Sequence, residues 1–566
     1  MIKSYLPLLV VMFPLIAMIF RPFVQKHRLY HYTAIVSGVT LVLILYMYPA
    51  IMEGSILDLT LDTGLGFNFD FRADLLGLFV GMIAVVLWTL SSIYSIEYMK
   101  HSHAHARFNI FSMLSLSGMM GVVFTGNLFT LYIFFELLSV ASAILVFHEE
   151  TPEAMKAGFK YLFLGIAGGL VLLFSIIMTY AIAGTGDLTL IGIGLQGSNW
   201  LPWIFWGYII GFGVKAGLFP LHIWLPSAHP VAPSGASALL SGVMIKAGAY
   251  GIFKTIYNII GYQDIVKNHM GLLLPLLIIS LFTIFLGSAC AITQTEIKKM
   301  LAYSSISQIG YVIMGFCLLS PLGIIGGMIH VFAHALMKGT LFMCAGAFIY
   351  KTGLRNLEDL KGIGRRMPWV TSAFSICALS MIGLPPFIGF ISKWFLALGA
   401  LQAMKMGNYW SGFGLIALLT LLLSSLLNLV YYGPIVIGAW MQTAPMETVS
   451  STETDFKSVP NAAHQAVDAT ERITPAAAPD LTEDTASSVH IKEQPHHHKV
   501  EAASRELDNT SSHLNNTVNG DVDGTDDPNW IMLIPILTLT TAVLAFGVVP
   551  TLPLNIAKHI SRLFFP

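Results

Sequence analysis

Residues 213–230 read GVKAGLFPLHIWLPSAHP. The run leading into them, Trp203 to Val214, has no formal charge, yet this stretch carries Lys215, two histidines and three prolines. Proline inside a helix removes one backbone hydrogen bond and clashes with the preceding turn. In hydrocarbon a freed carbonyl has no water to turn to, so such a break belongs inside protein or beside a wet cavity. A second stretch of the same character, LSMIGLPPFIGFISKWF at 379–395, places Gly383, Pro385, Pro386 and Gly389 around a break ahead of Lys393. Gly217 and Pro220 mark the first break, and Pro385 and Pro386 the second. About 166 residues lie between them, and interrupted segments at matching places point to two structural repeats.

The rest of the chain supports a membrane setting. Of 566 residues, 55% are hydrophobic and 11% charged. Many apolar runs reach the roughly 20 residues that cross about 30 Å of hydrocarbon. The fold class expected is therefore an all-α polytopic membrane protein. The first run, Tyr5 to Phe20, is followed by Arg21 and Lys26 instead of a small-residue cleavage site, and reads as a retained helix. The four cysteines, Cys290, Cys317, Cys344 and Cys377, are far apart and all within apolar runs. That suits packed side chains better than disulfides or a metal cluster. With no Cys-x-x-Cys pair, neither an iron–sulfur centre nor structural zinc is expected.

Hydropathy gives 14 spans. They divide into N-terminal helices at 1–107, a first repeat at 108–257, a second at 270–441, an acidic segment at 442–529 and a C-terminal helix and tail at 530–566. Residues 445–528 hold 16 of the 31 acidic side chains and five of the 30 basic ones. Rich in Ser, Thr, Asn, Pro and Ala, that segment is expected to be a disordered loop, and its run His496-His497-His498 reads as a solvated tract more readily than a metal site. The membrane part that remains is cationic. Short loops on one side hold thirteen Lys and Arg; those on the other hold Arg72, Lys267 and Lys405. By the positive-inside rule both termini face outward, and the acidic loop is cytoplasmic.

Ionisable side chains deep in these spans are the candidate site. Glu136 lies in LYIFFELLSVASAIL and Lys246 in ALLSGVMIKAGAYGIF, while Lys215 precedes the first break. His330, His334 and Lys338 lie in GGMIHVFAHALMKGTLFM, and Lys393 follows the second break nearer a span end. A charged residue at a helix centre costs on the order of 3 kcal/mol. Taken singly, each has a bland reading: Lys393 snorkels to the interface, and a lone histidine is a hydrogen-bonded packing residue. Spacing argues otherwise, because positions i, i+4 and i+8 put His330, His334 and Lys338 on one helix face over roughly 12 Å. A stripe of that kind suits a water-lined path for protons or ions. Glu136, acidic among bases, is expected to pair with one of the lysines.

These residues resemble the antiporter-like membrane subunits shared by respiratory complex I, membrane-bound hydrogenases and Mrp-type Na⁺/H⁺ antiporters. The motifs carrying the resemblance are FFELLSV at 134–140, KAGLFPLHIWLPSAHPVAPSGASALLSGVMIKAG at 215–248, HVFAHALMKGTLFMCAG at 330–346 and GLPPFIGFISKW at 383–394, within residues 70 to 440. GRRMPWVTSAF at 364–374, with the lysine of GFISKW, looks most like the branch that holds the Mrp D subunit and the hydrogenase-linked proteins; some complex I relatives place glutamate where Lys393 stands. The acidic insert is outside the family pattern. The resemblance implies two inverted repeats, each with a broken helix forming part of a half-channel. It implies that Glu136 pairs with Lys215, the key proton-binding base. Lys246, His330, His334 and Lys338 then carry the path laterally to Lys393, the exit site, with His222 and His229 as helpers.

Nothing in the chain supplies chemical energy. It has no Gly-Lys dipeptide, hence no Walker A loop, and no ligand cluster for a redox centre. No cofactor is expected in this chain. The function expected is proton translocation as a subunit of a complex I-like, hydrogenase-like or Mrp-like assembly in the cell membrane, powered by partner subunits or a counter-ion. As an enzyme it is at most a pumping subunit of a quinone oxidoreductase or hydrogenase-type translocase. Its partners would be other membrane subunits, H⁺, Na⁺ or K⁺, and the lipid bilayer, with no nucleic acid. Two alternatives stand: an Mrp-type Na⁺ or K⁺/H⁺ antiporter component without electron transfer, and a non-transporting scaffold whose polar groups merely hold helices together.

Overall fold

The computed structural model describes residues 1–64, 67–407, 410–442 and 525–565. The expected acidic loop, with His496 to His498, therefore lies from 443 to 524 outside the described residues. The chain opens with β1 (Ile2–Lys3), α1 (Leu6–Phe20) and α2 (Leu29–Met52), then β2 (Leu57–Asp62) and β3 (Asn68–Ala73). Next come α3 (Leu75–Tyr98), α4 (His105–Val123), α5 (Leu128–Val146), α6 (Pro152–Ala183) and the short α7 (Ile191–Leu195). The first broken span is α8 (Leu201–Ala216) and α9 (Leu225–Val231). After it run α10 (Ser234–Leu239), α11 (Ile245–Lys254), α12 (Tyr262–Asp264), α13 (Met270–Ile292), α14 (Ile297–Cys317) and α15 (Pro321–Thr352). The short α16 (Ile363–Arg366) precedes the second broken span, α17 (Pro368–Ile382) and α18 (Ile388–Ala403). The last helices are α19 (Trp410–Met441), α20 (Trp530–Val548) and α21 (Thr551–Arg562).

Twelve helices among the described residues are long and apolar enough to cross a membrane. The sequence reading of 14 differs at two places. It separated 234–257 from 270–292, which here form one helical stretch, Ser234–Ile292. It also counted the second broken span, whose halves α17 and α18 have 15 and 16 residues. Turns widened to π-helix interrupt the long stretch at Leu240–Met244, Thr255–Gly261 and Ile265–His269, and such turns recur at functional sites.

The expectation of an all-α chain misses a small sheet. β1 pairs parallel with β2, and β2 antiparallel with β3, in a register that sets Leu57 opposite Ala73 and Asp62 opposite Asn68. LDLTLD alternates apolar and polar residues with period two, burying Leu57 and Leu59 while Thr60 faces out. Arg72 pins this sheet. Its guanidinium reaches Asp58 at 2.7 Å, Asp70 at 3.1 Å and Asp187 at 3.1 Å. Burial pushes the Asp70 carboxyl up to about 6, against the pull of Arg72. Burial also acts on Asp187, but hydrogen bonds from Arg72 and Thr189 outweigh it and hold that carboxyl below its ordinary value. Arg72→Leu would leave these carboxylates facing one another, and is expected to destabilise the protein by about 3 kcal/mol, the low end for breaking a buried pair. A fall in the thermal midpoint of the detergent-solubilised protein measures it.

The two breaks close in the same way. Gly217 has φ 75° and Gly383 φ 96°, left-handed values that glycine adopts at little cost. At the first, Gly217 N–H donates to the carbonyls of Gly213 and Val214, and Leu218 N–H to Gly213. At the second, Gly383 N–H donates to Leu379 and Ser380, and Leu384 N–H to Leu379. Neither break is left to lipid. The indole of Trp224 donates to the freed Val214 carbonyl at 2.8 Å. At the second break, α20 comes so close through Gly547 that an added Cβ would strike Pro386 and Phe387 backbone.

Candidate functional site: a chain of buried lysines and histidines

Lys215 occupies the last turn of α8 and is 3% exposed. Its ammonium donates to Tyr161 OH of α6 at 2.6 Å and Ser142 Oγ of α5 at 3.0 Å. Tyr161 stacks on Trp224 with ring centroids 4.2 Å apart. The indole that caps the break therefore also backs the phenol that holds the lysine. The expected direct pairing of Glu136 with Lys215 is not what the contacts show. Glu136 is half-buried, one of its oxygens (Oε1) has no hydrogen-bond partner, and two hydroxyls occupy the donor side of Lys215. Its carboxylate fills a notch on α6 that exists because residue 169 is glycine: a Cβ there would collide with it.

Lys246, 2% exposed on α11, donates to the Ser241 carbonyl at 2.6 Å and contacts His334 Nδ1 at 2.6 Å. The π-turn Leu240–Met244 supplies that carbonyl. His334 lies over His330, ring centroids 6.1 Å apart and nearly parallel. His330 Nδ1 meets Ser392 Oγ at 2.9 Å, one residue before Lys393. Thus three helices, α11, α15 and α18, place polar groups in sequence from Lys246 to Lys393, hydrogen-bonded at Lys246–His334 and His330–Ser392 and stacked between the two histidines.

Lys393 is 6% exposed, so the snorkelling reading does not describe it. Its ammonium donates to the carbonyls of Met381 and Ile382, both at 2.9 Å, and to Ser425 Oγ at 3.1 Å. Those carbonyls end α17 and lost their helical partners at the break, so the cation sits where the helix presents its negative end. Lys338 shares the face of His330 and His334 but turns away from the series. It donates to the Leu301 carbonyl and Ser304 Oγ at 2.8 Å, and to Tyr432 OH at 3.2 Å.

The helper histidines differ from one another. His229 is wholly buried against Phe342 at 4.5 Å, with neither ring nitrogen bonded to protein. His222 stacks on Phe219 at 5.7 Å, with Nδ1 unpaired. The sequence reading missed several neutral partners: Ser142, Tyr161, Ser392 and, on α19, Ser425 and Tyr432. It also missed Gln308, wholly buried on α14 with both amide atoms unpaired, and the ion pair at 2.7 Å between buried Lys254 and half-buried Asp74. Lys298, one of the thirteen cations counted in the short loops of the positive side, is 4% exposed and donates to the Ala232 carbonyl at 3.0 Å.

Twin broken helices and a lysine–histidine series through the bundle interior define a class, the antiporter-like helical membrane proteins. The family model described as "NADH:quinone oxidoreductase/Mrp antiporter, TM" matches residues 125–429. The chain belongs to this family. It is 35% identical over 337 residues to NADH-quinone oxidoreductase subunit N of Desulforudis audaxviator, covering 59% of this chain and 64% of that one. It is 32% identical to hydrogenase-4 component B of Escherichia coli, covering 57% and 50% respectively. Against the Na⁺/H⁺ antiporter D subunit of Alkalihalophilus pseudofirmus it is 31% identical, covering 58% and 66%. The chain thus spans 50 to 66% of the length of these relatives. In fold it is similar to a chain of the Mrp complex from Dietzia, with TM-score 0.76, 21% identity and coverage of 99% and 97%. A chain of respiratory complex I from Thermus thermophilus gives TM-score 0.72, 18% identity and 99% coverage of both.

Proposed function

We propose that this chain is a proton-translocating subunit of a multi-subunit membrane complex, moving H⁺ through its interior by way of Lys215, Lys246, His334, His330 and Lys393. One observation carries the reading: the polar series from Lys246 to Lys393, with contacts of 2.6 Å at Lys246–His334 and 2.9 Å at His330–Ser392. An unpaired polar atom in a dry interior costs about 1–3 kcal/mol. His330 Nε2 and His334 Nε2 are such atoms, as are both amide atoms of Gln308 on the neighbouring α14, and in this reading water completes their bonding. Lysine and histidine both take up and release protons, and switching their neighbours changes which of them holds one. The shared closure at Gly217 and Gly383 supports two repeats; that they are inverted, each contributing a half-channel, is what the family likeness implies. The relatives' names support other membrane subunits as partners; the Lys and Arg bias of the short loops is what supports a cell-membrane orientation with both termini outside.

Glu136 acts through its field. Held near Lys215 without a direct contact, it favours the protonated lysine, and an approaching positive charge reverses that preference. The energy comes from outside the chain, since moving one charge against 100 mV takes about 2.3 kcal/mol. A second reading, exchange of Na⁺ or K⁺ for H⁺, has the sequence likeness to a Na⁺/H⁺ antiporter D subunit in its favour. A third reading, a scaffold without transport, predicts that His334→Ala leaves vesicle flux unchanged.

The test is proton flux in inverted vesicles carrying the protein in its native assembly. His334→Ala removes the link between Lys246 and His330, and flux is expected to fall about 10²-fold, the scale of a lost acid–base group. Unchanged flux would sink the reading. Gly169→Ala adds a Cβ that displaces the Glu136 carboxylate, and a shift of about 1 Å is expected to lower flux by up to about 10²-fold while the protein still inserts. Dependence of wild-type flux on added Na⁺ or K⁺ separates exchange from a redox-driven pump.

A further inference from the structure

The polar face of α19 has no part in the path described so far. Along this helix Leu415, Leu419, Leu422, Leu426 and Leu429 are exposed, as befits a lipid-facing side. On the opposite side Ser424, Asn428, Tyr431 and Tyr432 are buried, at the three- and four-residue spacing of one helix face. One turn of that face meets Lys338 directly and shares a carbonyl acceptor with Lys393. Tyr432 OH accepts from Lys338 at 3.2 Å. Tyr431 OH donates to Asn428 Oδ1 at 2.5 Å, and Asn428 Nδ2 donates to the Met381 carbonyl at 3.2 Å. Lys393 donates to that same carbonyl at 2.9 Å.

Tyr431 also lines a cleft of about 380 Å³ on the face that carries the positive loops, with Gln294, Thr295, Asn356, Lys361 and Gln442 at its polar wall. Pro434 lies in the cleft, inside α19. Lacking an N–H, it leaves the Val430 carbonyl without its helical partner, and Val430 lines the cleft too. An unmet carbonyl at membrane depth is tolerable where water reaches it. An asparagine buried in a membrane helix likewise needs bonded partners, and it finds them in Tyr431 and the broken end of α17.

We propose that this cleft is a second aqueous approach to the path, reaching Lys393 from the positive-loop face, with Tyr431 and Asn428 as positioning residues between water and lysine. Lys393 is then a site filled from one face as well as emptied toward the other. This rests on the proton-transport reading and adds to it a second required entry: Lys393 is served both from the cleft and along the lateral series from Lys215, and turnover needs the two together.

The test uses a single introduced thiol. Cys290 is first replaced by alanine because it is half-exposed beside the cleft residue Ala291, while Cys317, Cys344 and Cys377 are buried. Ile435→Cys then places a thiol in the cleft. In inverted vesicles a membrane-impermeant methanethiosulfonate added to the positive-loop face is expected to label it and bring flux to background; applied from the opposite face it should do neither. Asn428→Leu is expected to lower flux about 10²-fold, and Tyr431→Phe to lower it less. Full labelling with unchanged flux, no labelling from the positive-loop face, or block only from the opposite face would each overturn the proposal. Lys215→Ala in the same vesicles separates the two ideas: silent Lys215→Ala vesicles beside an inert cleft defeat this proposal alone, whereas conducting ones defeat the transport reading.

Discussion

Lys215→Ala is expected to abolish proton flux while leaving the fold nearly as stable as before. The reasoning begins with what the ammonium touches. Its partners are Ser142 and Tyr161, and these two hydroxyls also bond each other at 2.7 Å. Ser142 further donates to the Leu138 carbonyl at 2.6 Å. Removing the lysine therefore orphans neither hydroxyl, and the usual penalty for stripping a buried polar partner does not arise. The break itself is held by Gly217 and by the Trp224 indole on Val214, neither of which depends on Lys215. Flux has no such substitute, because serine and tyrosine hydroxyls do not carry a proton charge at neutral pH. A loss of at least about 10²-fold in vesicle flux, with a thermal midpoint close to wild type, is the outcome sought. Glu136→Gln keeps the shape of the side chain in its notch beside Gly169 and removes only its field, so it is expected to abolish coupled transport in the same assay. Vesicles pumping normally with both substitutions would remove Lys215 and Glu136 from the mechanism.

What the sequence revealed and what it hid follow from charge. An ionisable group in an apolar run is so costly that Lys215, Lys246, His330, His334, Lys338 and Lys393 stand out without any structure. The breaks stand out for the same reason, since GLFP and GLPP interrupt hydrogen bonding where lipid allows no substitute. Neutral partners give no such signal. Ser142, Tyr161 and Ser392 look like any small or aromatic packing residue, and which of them meets a lysine depends on helix rotation that periodicity does not fix. This is why the charges of Glu136 and Lys215 suggested a direct pair, while two hydroxyls from α5 and α6 take that place. Some of the missed signal was readable. YSSISQIGY at 303–311 is too polar for an ordinary span, and it is α14, whose Ser304 and Gln308 are wholly buried. LDLTLD likewise alternates as a strand does.

The two breaks share their closure but not their caps, and the difference bears on function. At the first, a neutral indole satisfies the freed carbonyl, leaving Lys215 to its hydroxyls. At the second, Lys393 is itself the cap, with Asn428 as a second donor to Met381. Proton release from Lys393 therefore changes the bonding of the broken helix end, whereas release from Lys215 does not. Transport and the geometry of α17 are linked at one end of the path only.

That link gives the second large effect, and three substitutions divide it. Lys393→Ala is expected to abolish flux and also to lower stability, because the Ile382 carbonyl loses its side-chain donor and Met381 keeps only Asn428; a charge at a helix C-terminus in a partly buried setting is worth up to about 2 kcal/mol. Lys393→Arg keeps a donor for both carbonyls but cannot give up its proton. It should recover most of the thermal midpoint lost in Lys393→Ala and none of the flux. Lys393→Glu tests the electrostatics, since a carboxylate would face two carbonyl oxygens at the negative end of α17. It is expected to be less stable than Lys393→Ala and equally silent. The measurements are vesicle flux and the thermal midpoint of the purified assembly. Flux retained in Lys393→Arg would mean that this position needs only a fixed positive charge, and Lys393 would then be a cap for α17 and not a carrier.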